Sequence, residues 1–176
     1  MGKGLQLVSQ TRITIAEVTQ ANWRATLALT VAPEQQRFIA AYAPIAALGL
    51  AKAYIRPGGL IWTPYAFSAH DEPALEPQGR MVGFAMLAHA PESVDTYWIF
   101  HFFIDQRFQG RGYGALALER LIATTLATHP HCRAIQLTTH PENQRAQRLY
   151  RRAGFQPTGD LVDGEPHFRL EWEQGD

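Results

Sequence analysis

Residues 102–118 limit the fold more than any other stretch. Phe102-Phe103-Ile104 is an apolar run of strand type, and apolar residues then recur at Leu118, Leu121, Ile122 and Leu126, the spacing of one helical face. Between them lie Gly110, Gly112 and Gly114. The stretch reads as a strand, a glycine loop and the start of a helix. The first N–H groups of a helix have no partner within it, and the helix dipole makes that end positive. Glycines bring backbone close to a ligand. This join can therefore offer several N–H groups to a phosphate or pyrophosphate, with Arg111 adding charge. A tight turn that merely needs glycine would use the same residues, so the triplet alone does not decide.

The spacing narrows the choice. A dinucleotide fingerprint reads G-x-G-x-x-G and a P-loop reads G-x-x-x-x-G-K-[ST]; the chain has neither. It has Gln109-x-x-Gly112-x-Gly114, followed later by Asn143-x-x-Ala146-x-x-Leu149-Tyr150-x-x-x-Gly154-Phe155. These two stretches resemble the paired cofactor motifs of the GNAT family of N-acetyltransferases, [QR]-x-x-G-x-[GA] and N-x-x-A-x-x-L-Y-x-x-x-G-F, in the same order. The resemblance is firm from Tyr97 to Phe155 and looser elsewhere.

That resemblance implies one domain over residues 1–176 with an α+β fold. Its mixed seven-stranded sheet would be flanked by helices, with the fourth and fifth strands splayed and acetyl-CoA in the gap. It implies that the backbone of Phe102, Phe103 and Ile104 pairs with the pantetheine arm like an added strand, one amide polarising the thioester carbonyl. Gln109, Gly110, Arg111, Gly112, Tyr113, Gly114 and Ala115 would surround the pyrophosphate, and Asn143 would contact the cofactor or cap its helix. Tyr150 would donate to the departing thiolate. In isolation, a tyrosine at that helical position is equally a core residue.

Composition sets the remaining bounds. The chain has 176 residues, 46% hydrophobic and 18% charged, enough for a buried core. Its formal net charge of zero argues against bulk nucleic-acid binding. The charge is segregated: Arg107 to Arg152 is rich in arginine with only Glu119 and Glu142 as acids, whereas Asp71, Glu72, Glu76, Glu92 and Asp95 face only Arg80. Such a split suits an anionic cofactor at one place and a cationic acceptor at another, and it equally describes two solvated surfaces. Cys132 is the single cysteine, so no internal disulfide forms, and a cytoplasmic location is the default expectation. No apolar run reaches membrane-spanning length, Met1 to Gln10 lacks a secretory core, and the histidines show no metal-ligand spacing.

In chain order, strands are expected at Arg12–Val18, Leu60–Ser68, Met81–Ala88, Thr96–Ile104, Ala134–Thr139, Phe155–Gly159 and His167–Trp172. Pro64 marks its strand as an edge or bulge. Thr19 is read as the N-cap of a helix carrying Trp23, Leu27 and Leu29, Pro33 opens a second helix, and Ile45–Tyr54 forms a third. Residues 69–80 read as a loop. Pro130 ends the helix after the glycine loop. Asn143 caps the last helix, Gly154 ends it, and Asp163-Gly164 turns the final hairpin.

Acetyl transfer to an amine needs a deprotonated nitrogen, a stabilised oxyanion and a leaving thiolate. An amine of pKa about 10.4 is neutral in roughly one molecule in 2,500 at pH 7, a cost of about 4.6 kcal/mol. Several amine-acetylating relatives place a glutamate on the central strand two residues before the pantetheine-pairing segment; here Phe100 stands there. His101 titrates in a suitable range, but strand alternation points it to the opposite face unless the strand is bulged. Asp95 and His140 are other candidates for the base. Short matches at Asn22-Trp23, Glu34-Gln35, Phe38, Tyr97-Trp98-Ile99 and Phe103-Ile104-Asp105 resemble bacterial spermine/spermidine acetyltransferases within the family, with Glu34 and Asp95 as nearby acids. They imply a polyamine acceptor held by aromatic contact and charge, although each aromatic is also a candidate for the core. An amino acid, an antibiotic amine or a protein N-terminus is the alternative acceptor. A non-catalytic acyl-CoA sensor is the alternative outside enzymes. Relatives often dimerise, which leaves a homodimer open.

Overall fold

A computed structural model describes residues 12–39, 44–70 and 79–172. The acids Asp71, Glu72 and Glu76 lie outside the described residues, as does the Met1–Gln10 segment. The strands are β1 (Arg12–Glu17), β2 (Ile61–His70), β3 (Arg80–His89), β4 (Thr96–Ile104), β5 (Ala134–Thr138), β6 (Gln156–Val162) and β7 (Glu165–Glu171). The helices are α1 (Trp23–Thr26), α2 (Ile45–Ile55), α3 (Tyr113–Thr128) and α4 (Gln144–Arg152). One seven-stranded sheet runs β1-β2-β3-β4-β5-β7-β6.

β3 is buried from Val82 through Ala88, which explains why it reads as an unbroken apolar run. Its side chains alternate between two cores. Val82, Ala85 and Leu87 join Leu118, Leu121 and Phe155 on the α3 face; Phe84, Met86 and Ala88 join Ile45, Ala46 and Trp62 on the α2 face. β6, by contrast, is exposed throughout, as an edge strand. No helix among the described residues is long and apolar enough to cross a membrane.

Three sequence expectations need correction. The helix expected from Thr19 to Leu29 shrinks to Trp23–Thr26, and its N-cap is Asn22. Asn22 folds back instead: its Oδ1 accepts from the Thr19 amide at 2.7 Å and its Nδ2 donates to the Glu17 carbonyl at 3.0 Å. That turn competes with helix for the same backbone groups. The segment opened by Pro33 is a 3-10 helix, Pro33–Phe38, with no buried residue to extend it. Pro64 lies inside the sheet, just past the end of β1, where its carbonyl accepts from the Val18 amide at 2.8 Å.

Two features of β4 shape the centre. It pairs in parallel with β5 only from Thr96 to Trp98, so the two strands diverge beyond that point. It also gains a residue against β3: Phe103 faces Phe84 and Phe100 faces Met86, leaving His101 and Phe102 opposite Ala85. His101 takes φ 52°, a left-handed conformation that costs an L-residue roughly 1–2 kcal/mol. The far end of β4 is pinned by Asp105, whose side chain is fully buried. Asp105 accepts from the Thr30 amide (2.9 Å), the Arg107 amide (2.9 Å), Arg107 Nε (2.8 Å) and Arg107 Nη2 (3.0 Å). Burial opposes its ionisation, but these hydrogen bonds outweigh it and hold the carboxyl below its ordinary pKa.

Candidate active site

The divergence of β4 and β5 opens a cavity of about 1150 Å³. One end is built from the glycine loop. Gly110 and Gly112 adopt φ 79° and 81°, and an added Cβ at either would meet nothing within 4 Å. Gly112 is the N-cap of α3 and supplies no side chain to the helix's first amides. The Ala115 and Leu116 amides turn back to the Gly112 carbonyl (3.1 and 3.4 Å), and an anion at the loop meets the positive end of the helix. Arg145, Arg148 and Arg152 from α4 line the same cavity. Gln109 organises this end. Its Nε2 donates to the Ile104 carbonyl at 2.9 Å, its amide pairs reciprocally with Gln35 (3.0 and 2.8 Å), and its Oε1 accepts from Arg145 Nη1 at 3.1 Å. Open glycine backbone, a helix N-terminus and arginines fit a pyrophosphate-bearing cofactor such as acetyl-CoA.

The other end gathers residues from six separate stretches. Tyr150 lies on α4, 6% exposed, between Phe155 and Phe168, with ring centroids 6.0 and 6.1 Å away. Its hydroxyl takes no hydrogen bond among the described residues. Burial, and then the charge of Glu165, push its pKa up, so it stays protonated and able to donate. Glu165, at the start of β7, lines the cavity and accepts from Thr138 Oγ1 at 2.8 Å. His140 and Phe38 also line it, their rings 5.1 Å apart. His101 enters through the bulge, and Lys52 Nζ on α2 donates to its Nε2 at 3.1 Å. Burial first, and then the Lys52 charge, bring the His101 pKa down to about 4, so its imidazole is neutral near pH 7.

Of the residues singled out from sequence, Phe102, Phe103, Ile104, Gln109, Gly110, Gly112, Tyr113, Gly114, Ala115, Asn143, Tyr150, His101 and Phe38 all line this cavity. Asn143 also caps α4, its Oδ1 accepting from the Ala146 amide at 3.1 Å. The Arg111 side chain turns aside, donating to the Arg107 carbonyl at 3.4 Å and lying over Phe108. Trp23, Glu34, Asp95 and Trp98 do not line the cavity. Trp23 is a surface residue beside Arg24, and Glu34 is exposed on the 3-10 helix. Asp95 precedes the opposite end of β4; the Ser93 hydroxyl (2.8 Å) lowers its pKa. Trp98 stacks on His167 at 5.3 Å. Sequence reasoning passed over Lys52, Asp105, Arg145, Arg148 and Glu165 as individual site residues. Only the arginines carried a signal, as part of the basic stretch.

Comparison with known proteins agrees with this geometry. Residues 22–155 match the Acetyltransferase (GNAT) family. The chain is 34% identical over 154 residues to a spermine/spermidine N(1)-acetyltransferase of Bacillus subtilis, covering 85% of this chain and 91% of that protein. Among solved structures, spermidine N-acetyltransferase from Vibrio cholerae in complex with CoA and spermine superposes with a TM-score of 0.65 at 17% identity, over 90% of this chain and 93% of that one. An aminoglycoside acetyltransferase in complex with coenzyme A gives a TM-score of 0.66 at 19% identity, over 90% and 94%. These last two establish the shared fold. With splayed strands, a glycine-lined helix start and both motifs facing one cavity, the chain belongs to the GNAT family of acetyltransferases.

Proposed function

We propose that this acetyl-CoA-dependent N-acetyltransferase acetylates a primary amine of a polyamine such as spermidine or spermine, by direct attack of the amine on the thioester. The observation that carries the reading is the two-ended cavity. Phosphate-suited groups lie at one end and a protonated, unpaired Tyr150 hydroxyl at the other. The loop amides of Gly110, Gly112 and Gly114 with Arg145 and Arg148 hold the phosphates, and the edge of β4 that β5 leaves unpaired, at Phe102 to Ile104, receives the pantetheine arm. Acetyl-CoA supplies the activated acetyl group. Tyr150 hands a proton to the sulfur as the C–S bond breaks. A proton donor at that point is what transfer requires and what a cofactor sensor does not need.

The acceptor class rests on the Bacillus subtilis relative, named as a spermine/spermidine acetyltransferase. The aromatic rings of Phe38 and Phe100 and the carboxylate of Glu165 line the cavity and suit a flexible polycation. The test is CoA release from acetyl-CoA against spermidine, spermine, an aminoglycoside, free amino acids and a peptide N-terminus. Turnover on the polyamines, with the acetylated product identified by mass, is the expected result. Turnover confined to another class would replace the acceptor. Binding of acetyl-CoA with no turnover on any amine would overturn the enzymatic reading.

A further inference from the structure

Nothing described so far removes the proton from the acceptor. Phe100, two residues before Phe102, is apolar and offers no base. The reacting end offers few groups. His101 is neutral and its Nε2 is taken by Lys52. His140 Nδ1 accepts from the Glu142 amide at 3.2 Å, and its ring packs on Phe38. Asp95 is outside the cavity. Among the described residues, two carboxylates line the cavity, Glu119 and Glu165. Glu119 lies on α3, whereas Glu165 acts electrostatically on Tyr150 itself.

The geometry points to Glu165 as the catalytic carboxylate that pairs with the acceptor ammonium and takes its proton; the inference rests on the amine-acetylating function proposed above. The Thr138 hydroxyl donates to Glu165 Oε2 across the β5–β7 pair and so fixes the carboxylate plane. Oε1 takes no hydrogen bond among the described residues, leaving it for the substrate. An anion gives an incoming ammonium a partner that neutral His101 cannot. One proton passes from the ammonium nitrogen to Oε1. The freed lone pair forms the C–N bond to the acetyl carbonyl carbon, the C–S bond breaks, and the sulfur takes the Tyr150 proton. The nitrogen's second proton, lost as the amide forms, returns to the Tyr150 oxygen. Glu165 therefore serves the nucleophile and Tyr150 the leaving group. The other titratable side chains at this end are His101 from β4 and His140 after β5. Asp163 and His167 flank Glu165 on its own hairpin.

Glu165→Gln tests this, because the amide can still accept from Thr138 while losing charge and basicity. Turnover of spermidine at pH 7 should fall at least a hundredfold, within the range general-base catalysis supplies. The acetyl-CoA dissociation constant should stay within twofold of wild type. The deficit should shrink toward pH 10, where the acceptor deprotonates unaided. A purely structural Thr138–Glu165 link would not give that recovery with pH. If the amide variant does not fold, Glu165→Asp carries the test, with a loss of tenfold or more at pH 7 that also closes by pH 10. Active wild-type enzyme with an equally active Glu165 variant would overturn this inference alone. Wild-type enzyme that binds acetyl-CoA and acetylates no amine would overturn the proposed function and this inference with it.

Discussion

The two ends of the cavity are built differently. The cofactor end comes from one short run, Gln109 to Ala115, and the arginine face of α4. The reacting end is assembled from Phe38, Lys52 with His101, His140, Tyr150 and Glu165, which lie far apart in sequence. Binding a phosphate asks for backbone amides in a fixed local conformation, and a few glycines supply that. Moving protons asks for side chains held at chosen distances in a partly dry site, and only tertiary packing supplies that. A family can therefore keep the first end nearly fixed while the second varies.

The largest expected effect separates the ends most sharply. Tyr150→Phe removes only the hydroxyl; kcat should fall by about 10²–10³, while the acetyl-CoA dissociation constant measured calorimetrically stays within twofold of wild type. Asp105→Ala comes next and should affect both ends together. It strips four hydrogen bonds from the buried anchor at the end of β4 and should cost about 2–4 kcal/mol of unfolding free energy in a denaturant titration. Gly112→Val reverses the Tyr150 pattern. A β-branched residue at φ 81° is strained by about 1–2 kcal/mol, and its side chain enters the phosphate region. Acetyl-CoA affinity should drop by about tenfold or more while kcat at saturation changes little.

The smallest effect concerns pH. Folded His101 has its pKa lowered from the ordinary 6.5 to about 4. Between those values the unfolded chain binds the extra proton, so stability rises with pH through the window. Its contribution is complete above about pH 6.5 and is lost as pH falls toward 4. Lys52→Met removes the second cause and leaves burial. The His101 ring resonances in an NMR titration should then report a pKa raised part of the way toward 6.5.

The contrast between the ends also governs how much was legible in the sequence. The glycine loop, the Asn143 cap, the left-handed Gly154 (φ 97°) and the Asp163-Gly164 turn (φ 52° and 82°) are local features, and each is found where the residues place it. The seven strands follow from alternation and apolar runs, with no end displaced by more than three residues. The helix after Thr19 was overread because periodicity cannot register the side-chain turn made by Asn22. The bulge at His101 carries no glycine or proline to announce it; it arises from the register of β4 on β3. Lys52 and Glu165 carry no signal of a site in the sequence, because nothing local connects either to residues 101 or 150.

The most direct test of the central assignment is hydrogen–deuterium exchange with and without acetyl-CoA. The outer edge of β4 is unpaired beyond Trp98, and the first amides of α3 lack a side-chain cap. Added acetyl-CoA should slow exchange at residues 102–104 and 110–115 and leave β1 and β2 unchanged. Saturating acetyl-CoA that protects neither segment, or protects residues elsewhere in their place, would contradict the assignment of this cavity.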